Sequence, residues 1–114
     1  MKPIFYDKKT CGTCKKAQAY LNEHKVAFEV VDIIKNPPTR EVLEKFIDGG
    51  NVKAHLNSRS AIYRDLKLGQ DIPDKGRAIE LMLQDPNLIK RPFIVSGETG
   101  SFGFSSITFD EKWV

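Results

Sequence analysis

The chain has 114 residues, of which 40% are hydrophobic and 10% aromatic, and this composition supports the core of one domain, which we expect to comprise residues 1–114. The N-terminal apolar run, Ile4 to Tyr6, is too short for a signal peptide or a membrane span. The sequence therefore predicts a soluble cytoplasmic protein without a membrane partner. Its 18 basic and 15 acidic residues are spread along the chain, a distribution that predicts no direct binding of nucleic acid.

The first third of the chain predicts a strand, a helix and a second strand. Pro3–Tyr6 is a short apolar strand, and the turn-like segment after it leads into an amphipathic helix that ends near His24 or Lys25. The run Val26–Ile34 is rich in β-branched and aromatic residues, as in a buried strand, and residues 36–38 end it. Both cysteines of the chain fall in the first turn of the helix.

The middle of the chain predicts helices only. Thr39 is a suitable N-cap for a helix with an apolar stripe, which Gly49 and Gly50 end. The stripe consists of Val42, Leu43, Phe46 and Ile47. Residues 51–69 predict short helices joined by a turn, and residues 75–84 predict a further helix.

The last quarter of the chain predicts a hairpin and a terminal helix. The hairpin comprises a strand at residues 92–96, a turn at 98–100 and a second strand at 101–104. Three apolar side chains of the terminal helix are expected to pack against the body: Ile107, Phe109 and Trp113. This order of elements is typical of a thioredoxin-type α/β sheet with an inserted helical segment, here at about residues 39–90.

The sequence Cys11-Gly12-Thr13-Cys14 is the strongest chemical signal in the chain. A Cys-x-x-Cys at the junction of a strand and a helix places the first sulfur at the helix N-terminus. Unpaired backbone N–H groups and the positive end of the helix dipole favour a thiolate there. Cys11 is therefore the candidate nucleophile, and Cys14, one turn further on, is placed to form a disulfide with it.

Two other interpretations of the cysteines stay open: half of a zinc site, and a pair of inert buried thiols. A zinc site needs two more ligands, and His24 and His55, the only imidazoles of the chain, are not spaced like a ligand pair. We therefore predict no metal. A phosphatase loop of the form Cys-x5-Arg is excluded because position 17 is alanine.

Arginine supplies the second signal. A thioredoxin-type architecture places a proline, often after a cis bond, beside the cysteine helix, so Arg91 before Pro92 is positioned to reach the thiol pocket. An ordinary surface arginine at the start of a strand is the alternative. From its local sequence alone, Arg59 is a solvated helix residue.

Five segments resemble those of the arsenate reductase (ArsC) and Spx family, in the same order and at matching distances: IFYDKKTCGTCKKA, NPPTREVLEKFI, NSRSAIYRDL, LIKRPFIV and GFS. The resemblance covers nearly the whole chain. It implies a thioredoxin-like (glutaredoxin-like) α/β fold, with a central mixed β-sheet and an inserted helical segment. It also implies that Cys11 is the nucleophile and that Arg59 and Arg91 hold an anionic substrate or a glutathionyl group beside it. Further substrate contacts are expected from Gly12, Thr13 and Pro92.

Two departures from the arsenate reductases of this family concern the substrate. Those enzymes carry a third arginine in the segment that corresponds to residues 101–105, which here reads SFGFS. They also have serine or another residue where this chain has Cys14. The resemblance therefore implies thiol–disulfide chemistry, with arsenate as one candidate oxyanion substrate.

Two functions follow from the resemblance. The first is a thiol-dependent reductase without a tightly bound cofactor, which uses glutathione as co-substrate and is coupled to glutaredoxin or thioredoxin. The alternative is an Spx-like transcriptional regulator that senses oxidation through Cys11 and Cys14 and binds RNA polymerase.

Overall fold

The structure is a computed structural model that describes residues 2–114. In chain order the strands and α-helices are β1 (Ile4–Asp7), α1 (Gly12–Glu23), β2 (Glu29–Asp32), α2 (Arg40–Phe46), α3 (Ala61–Asp65), α4 (Lys75–Gln84), β3 (Phe93–Ser96), β4 (Thr99–Phe102) and α5 (Ser106–Lys112). Two short 3-10 helices, Val52–His55 and Pro86–Leu88, flank α3 and α4. The order of elements is the one that the sequence predicts.

The four strands form one mixed sheet in the order β2-β1-β3-β4. β1 and β2 run parallel, whereas β3 is antiparallel to both of its neighbours, β1 and β4. The parallel pair is joined through α1, as a parallel connection requires. This arrangement confirms the predicted thioredoxin-like α/β fold.

One face of the sheet carries the core that contains the cysteine helix. Phe5 of β1 lies opposite Ile94 of β3, and both are fully buried. The buried side of α1 and Phe109 of α5 pack against this pair. The helix side chains that take part are Cys14, Ala17 and Leu21.

The other face of the sheet carries an aromatic row across three strands. Tyr6, Phe93 and Phe102 are direct neighbours in the strand register. Their rings are stacked, with centroid distances of 5.6 Å between the first two and 4.3 Å between the last two. Such cross-strand pairs stabilise a sheet because each ring covers apolar surface of the next.

The prediction of a long buried strand at residues 26–34 is wrong. β2 comprises Glu29–Asp32 only, and it is an edge strand, with Val30 48% exposed. The Asp32 side chain ends the strand because its Oδ1 accepts the backbone N–H groups of Ile34 and Lys35. Composition indicates a strand here, but it does not distinguish an edge strand from a central one.

The C-terminal region differs from the prediction in two details. The hairpin turn consists of Gly97 and Glu98, so that Thr99 already belongs to β4. Gly97 has a φ of +59°, as a tight two-residue hairpin turn requires. Ile107 was predicted to pack against the body but is 71% exposed; Phe109 fills the core position of α5.

Contacts divide the chain into two compact units, residues 2–36 with Arg91–Val114, and Pro37–Lys90. The helical insertion predicted at about residues 39–90 falls within the second unit, and the description as one domain stays a prediction. In the second unit Thr39 caps α2, as predicted, since its hydroxyl accepts the Val42 N–H at 3.3 Å. Within residues 2–114, none of the helices is both long and apolar enough to span a membrane.

Candidate active site

Cys11 is the N-cap residue of α1. Its Sγ atom accepts a hydrogen bond from the backbone N–H of Cys14 at 3.2 Å, and its own N–H donates to the carbonyl of Lys8 at 2.9 Å. N–H groups of a first helical turn lack partners within the helix and favour negative charge on a capping atom. Cys11 is partly exposed.

Cys14 is the buried member of the pair. It has no exposed surface and forms part of the sheet–helix core. Burial raises the pKa of the Cys14 thiol far above its ordinary value, and a hydrogen bond to Cys11 and the charge of Cys11 add to this rise. A backbone hydrogen bond at Lys8 opposes it, whereas the charge of Asp7 reinforces it. Cys14 therefore holds its proton beside a partly exposed Cys11.

Both thiols are free in the structure, so the site is in its dithiol form. Gly12 and Thr13, the two residues between the cysteines, open α1 and are exposed. The first turn of α1 thus brings together four of the predicted site residues. Their contact with a substrate stays a prediction.

Arg91 and Pro92 precede β3 and belong to the same compact unit as the cysteines. The peptide bond between them is cis, and the buried Pro92 accepts the N–H of Gly103 at 2.9 Å. Because β3 is antiparallel to β1, with Phe93 opposite Tyr6, the start of β3 lies beside the carboxyl end of β1. The loop from β1 to Cys11 begins at this same end of the sheet.

Arg59 lies in the other unit, in the turn before α3. Its backbone N–H donates to the side-chain oxygen of Asn57 at 3.1 Å, and the next residue, Ser60, caps α3. Its side chain is exposed. The role that the family resemblance implies for Arg59 stays a prediction.

Two residues outside the Cys-x-x-Cys motif also belong to the cysteine site, and the sequence analysis missed the first of them, Asp7. Asp7 ends β1, and its charge acts on the buried Cys14 thiol. Lys8 supplies the carbonyl that fixes the backbone of Cys11. Their position offers the only sequence signal, since residues at the carboxyl end of a central strand commonly line the site of an α/β protein.

The described residues, 2–114, contain no group of three or more His, Cys, Asp or Glu side chains that could hold a metal ion. Each imidazole has a local partner. His24 Nδ1 lies 2.8 Å from the carbonyl oxygen of Tyr20, and His55 Nε2 accepts the backbone N–H of Asp48 at 3.0 Å.

The order and direction of the strands define the chain as a protein of thioredoxin-like fold. Its candidate site consists of a partly exposed thiol that caps the helix after β1 and a second, buried thiol in the first turn of that helix. The model of the ArsC family matches residues 6–111. The chain belongs to the ArsC family.

Proteins similar to this chain include an uncharacterized protein, a transcriptional regulator and an ArsC family related protein of known structure. It is 33% identical over 117 residues to YusI of Bacillus subtilis (strain 168), an uncharacterized protein, with 99% of each chain covered. It is 31% identical over 99 residues to the global transcriptional regulator Spx of Streptococcus agalactiae serotype V, covering 84% of this chain and 72% of the regulator. Among solved structures, an ArsC family related protein from Bacteroides fragilis superposes with a TM-score of 0.89 at 28% identity, covering 97% and 98% of the two chains.

Proposed function

We propose that the chain is a thiol-dependent reductase of the ArsC family that uses Cys11 as its nucleophile. The observation that carries this proposal is the hydrogen bond from the Cys14 backbone N–H to the partly exposed Cys11 Sγ at 3.2 Å. A thiolate is the reactive form of cysteine, and a helix N-terminus favours it. The dithiol would work in the cytoplasm, where thiols stay reduced.

The proposed reaction has two steps. The Cys11 thiolate attacks one sulfur of a disulfide, the Cys11–substrate bond forms, and the second sulfur leaves as a thiolate that takes up a proton. Cys14 then loses its proton and attacks Cys11 Sγ, which releases the bound half of the substrate as a second thiol. Glutathione with glutaredoxin, or thioredoxin, supplies the two electrons that reduce the resulting Cys11–Cys14 disulfide.

The electrostatics of Cys14 suit this order of events. Two of the causes that raise the pKa of Cys14 are its hydrogen bond to Cys11 and the charge of Cys11. Both act only while Cys11 is a thiolate. Burial, the largest cause of the raised pKa of Cys14, persists when Cys11 is bound to the substrate, whereas the hydrogen bond to Cys11 and the charge of Cys11 are lost. The loss of these two causes lowers the pKa of Cys14 at the stage where Cys14 must act as nucleophile.

Arsenate is one candidate substrate, and Arg91 and Arg59 are the side chains proposed to hold an oxyanion. Residues 101–105, where the arsenate reductases of the family carry a third arginine, have a structural role in this chain. Ser101 is buried, and its hydroxyl accepts the indole N–H of Trp113 at 2.9 Å. This segment therefore anchors the C-terminal helix, so that arsenate reduction would depend on two arginines.

Turnover assays test the proposal. Oxidation of NADPH is followed in the presence of glutathione, glutathione reductase and glutaredoxin, with hydroxyethyl disulfide or arsenate as substrate. We expect Cys11→Ser to abolish the turnover that exceeds a control without the protein. Cys14→Ser, mixed with hydroxyethyl disulfide in the absence of glutathione and glutaredoxin, should stop after one equivalent of mixed disulfide. Arg91→Ala should lower turnover of an anionic substrate, whereas Arg64→Ala, an exposed arginine of α3, serves as the control. Turnover that survives Cys11→Ser would refute the proposal.

A regulatory role is the second candidate, because a relative at 31% identity is the global transcriptional regulator Spx. In this case oxidation of Cys11 and Cys14 to a disulfide would change the affinity of the chain for RNA polymerase. Binding of immobilised RNA polymerase is compared for the reduced protein, the oxidised protein and Cys14→Ser. Binding that depends on the oxidation state, together with no turnover in the coupled assay, would favour the regulator over the reductase.

A further inference from the structure

The surface around Cys11 is the most strongly charged part of the chain. Residues 7–16 contain four lysines and one aspartate, a net charge of +3. The whole chain also has a net charge of +3, so the other 104 positions contain equal numbers of basic and acidic side chains. The excess positive charge of the protein is therefore concentrated in the ten residues that contain the two cysteines.

The fold keeps this charge at the surface. Lys9, Lys15 and Lys16 are exposed, and Lys8 is partly buried. Lys15 follows Cys11 by four residues, which is one turn of α1, and therefore lies on the same side of the helix. Lys9 and Lys16 are exposed within five residues of Cys11 in the sequence. We call the four residues Lys9, Cys11, Lys15 and Lys16 the Cys11 surface.

Two carboxylates lie at the same sheet edge, because Asp7 and Asp32 are paired at the ends of the parallel strands β1 and β2. Asp7 is partly buried and acts on the Cys14 thiol. The Oδ1 of Asp32 accepts the N–H groups of Ile34 at 2.8 Å and Lys35 at 3.2 Å, which lowers the pKa of Asp32, and the charges of Lys35 and Lys9 lower it further. Asp32 therefore offsets part of the charge of Lys9, and Lys15 and Lys16 carry the rest of the positive charge of the Cys11 surface.

We propose that the Cys11 surface binds an acidic polypeptide and that the disulfide which Cys11 attacks belongs to this partner. The inference rests on the proposed role of Cys11 as nucleophile and adds the class of its partner. Positive charge raises the local concentration of anions and the rate of encounter with them. A nucleic acid fits the same charge but offers no sulfur to the thiolate, whereas a polypeptide supplies both the carboxylates and the disulfide.

The attack on such a partner is balanced. The Cys11 thiolate forms a bond to the partner's cysteine sulfur while the partner's S–S bond breaks, and its other sulfur leaves with the bonding electron pair and takes up a proton. Cys11 and the partner's cysteine are then joined as a mixed disulfide. The lysines take no part in the exchange of electrons.

Three synthetic peptides test the charge of the partner directly. Each carries one cysteine as a 2-pyridyl disulfide, and they differ only in the four flanking residues, which are all glutamate, all glutamine or all lysine. Attack by Cys11 releases pyridine-2-thione, whose absorbance gives the rate. At low ionic strength we expect the glutamate peptide to react at least about tenfold faster than the lysine peptide. This ratio should approach one near 1 M salt, where the screening length is only about 3 Å.

Matched double variants test whether the preference for the glutamate peptide arises at the Cys11 surface. Lys15→Gln with Lys16→Gln should reduce the glutamate-to-lysine ratio by at least about threefold, from Coulomb's law in water at about 8 Å. Because the ratio compares two peptides on the same variant, a change in the intrinsic reactivity of Cys11 cancels. Lys2→Gln with Lys25→Gln removes the same charge from the other end of β1 and α1 and should leave the ratio unchanged. Equal effects of the two double variants would overturn the proposed surface.

The outcomes separate this inference from the proposed function. Equal rates with all three peptides would overturn the acidic partner but keep Cys11 as nucleophile. No reaction of the native protein with any of the peptides would refute the nucleophile itself. Inhibition of the glutamate peptide by a single-stranded oligonucleotide, but not by polyglutamate at equal charge concentration, would overturn the assignment to a polypeptide.

Discussion

Replacement of Phe109 tests whether α5 belongs to the core that surrounds the cysteines. Phe109 has no exposed surface and lies in the same cluster as Cys14. Its ring makes edge contacts with the rings of Tyr20 and Phe104, at centroid distances of 6.1 Å and 4.8 Å. The same helix offers a control, since Ile107 is 71% exposed.

The structure sets the size of the expected effects. Truncation of a fully buried phenylalanine to alanine costs about 3–5 kcal/mol, of which each edge-to-face ring contact contributes about 0.5–1.5 kcal/mol. A domain of this size is stable by only about 5–15 kcal/mol, so Phe109→Leu, which refills most of the volume, is the safer variant. We expect about 1–2 kcal/mol for Phe109→Leu and less than about 0.5 kcal/mol for Ile107→Ala.

Urea unfolding, followed by the fluorescence of Trp113, measures these free energies. Labelling with iodoacetamide gives a second result, because Cys14 is shielded only while the cluster that contains Phe109 stays packed. Phe109→Leu should therefore increase the labelling of Cys14, whereas Ile107→Ala should not. Equal losses of stability for the two variants would refute the packing of α5 described above.

Three further predictions concern single groups. Burial lowers the pKa of His55 below its ordinary 6.5, so the unfolded chain binds more protons than the folded chain below about pH 6.5. The contribution of His55 to the free energy of unfolding is therefore fully present above about pH 6.5 and is lost as the pH drops below it. His55→Gln should flatten this slope in unfolding measured from pH 7.5 to 5. Thr39→Ala removes the cap of Val42 and should cost about 1 kcal/mol, with Thr39→Ser as control. Gly97→Ala, at a φ of +59° with open space around it, should also cost about 1 kcal/mol in urea unfolding.

The sequence predicted most accurately those elements whose own residues mark where they begin or end, such as helix caps and prolines. Thr39 was identified as a cap because a hydroxyl before an apolar stripe is placed to accept a free N–H, and it does so. The helix at residues 75–84 was predicted with the bounds of α4, Lys75–Gln84, since Pro86 prevents its continuation. In the structure Asp74 caps its start. The position of Cys11 at the N-terminus of a helix was predicted for the same reason, since Cys11 stands where a strand ends and a helix begins.

The errors arose where tertiary context decides. Val26–Ile34 has the composition of a buried strand, yet its centre forms the edge strand β2 because no further strand pairs with it in the described residues. Ile107 is apolar but lies on the outer side of α5, whose direction is set by Phe109 and by the hydrogen bond from Trp113 to Ser101. Local periodicity predicts neither that β2 has no further strand beside it nor which residues orient α5.

The cap on Cys11 also bears on the electron donor of the proposed reductase. A thiolate accepts the hydrogen bond from the Cys14 N–H more strongly than a disulfide sulfur does, so the cap favours the reduced pair. Stabilisation of the reduced form by about 1.4 kcal/mol raises the reduction potential of a dithiol by about 30 mV, which makes its disulfide easier to reduce. Regeneration by glutathione needs a potential above that of the glutathione pool, whereas thioredoxin, at about −270 mV, also regenerates a reductase of lower potential. The measured potential of the Cys11–Cys14 pair therefore identifies the donor: a value above that of glutathione favours glutathione with glutaredoxin, and a value below it leaves thioredoxin.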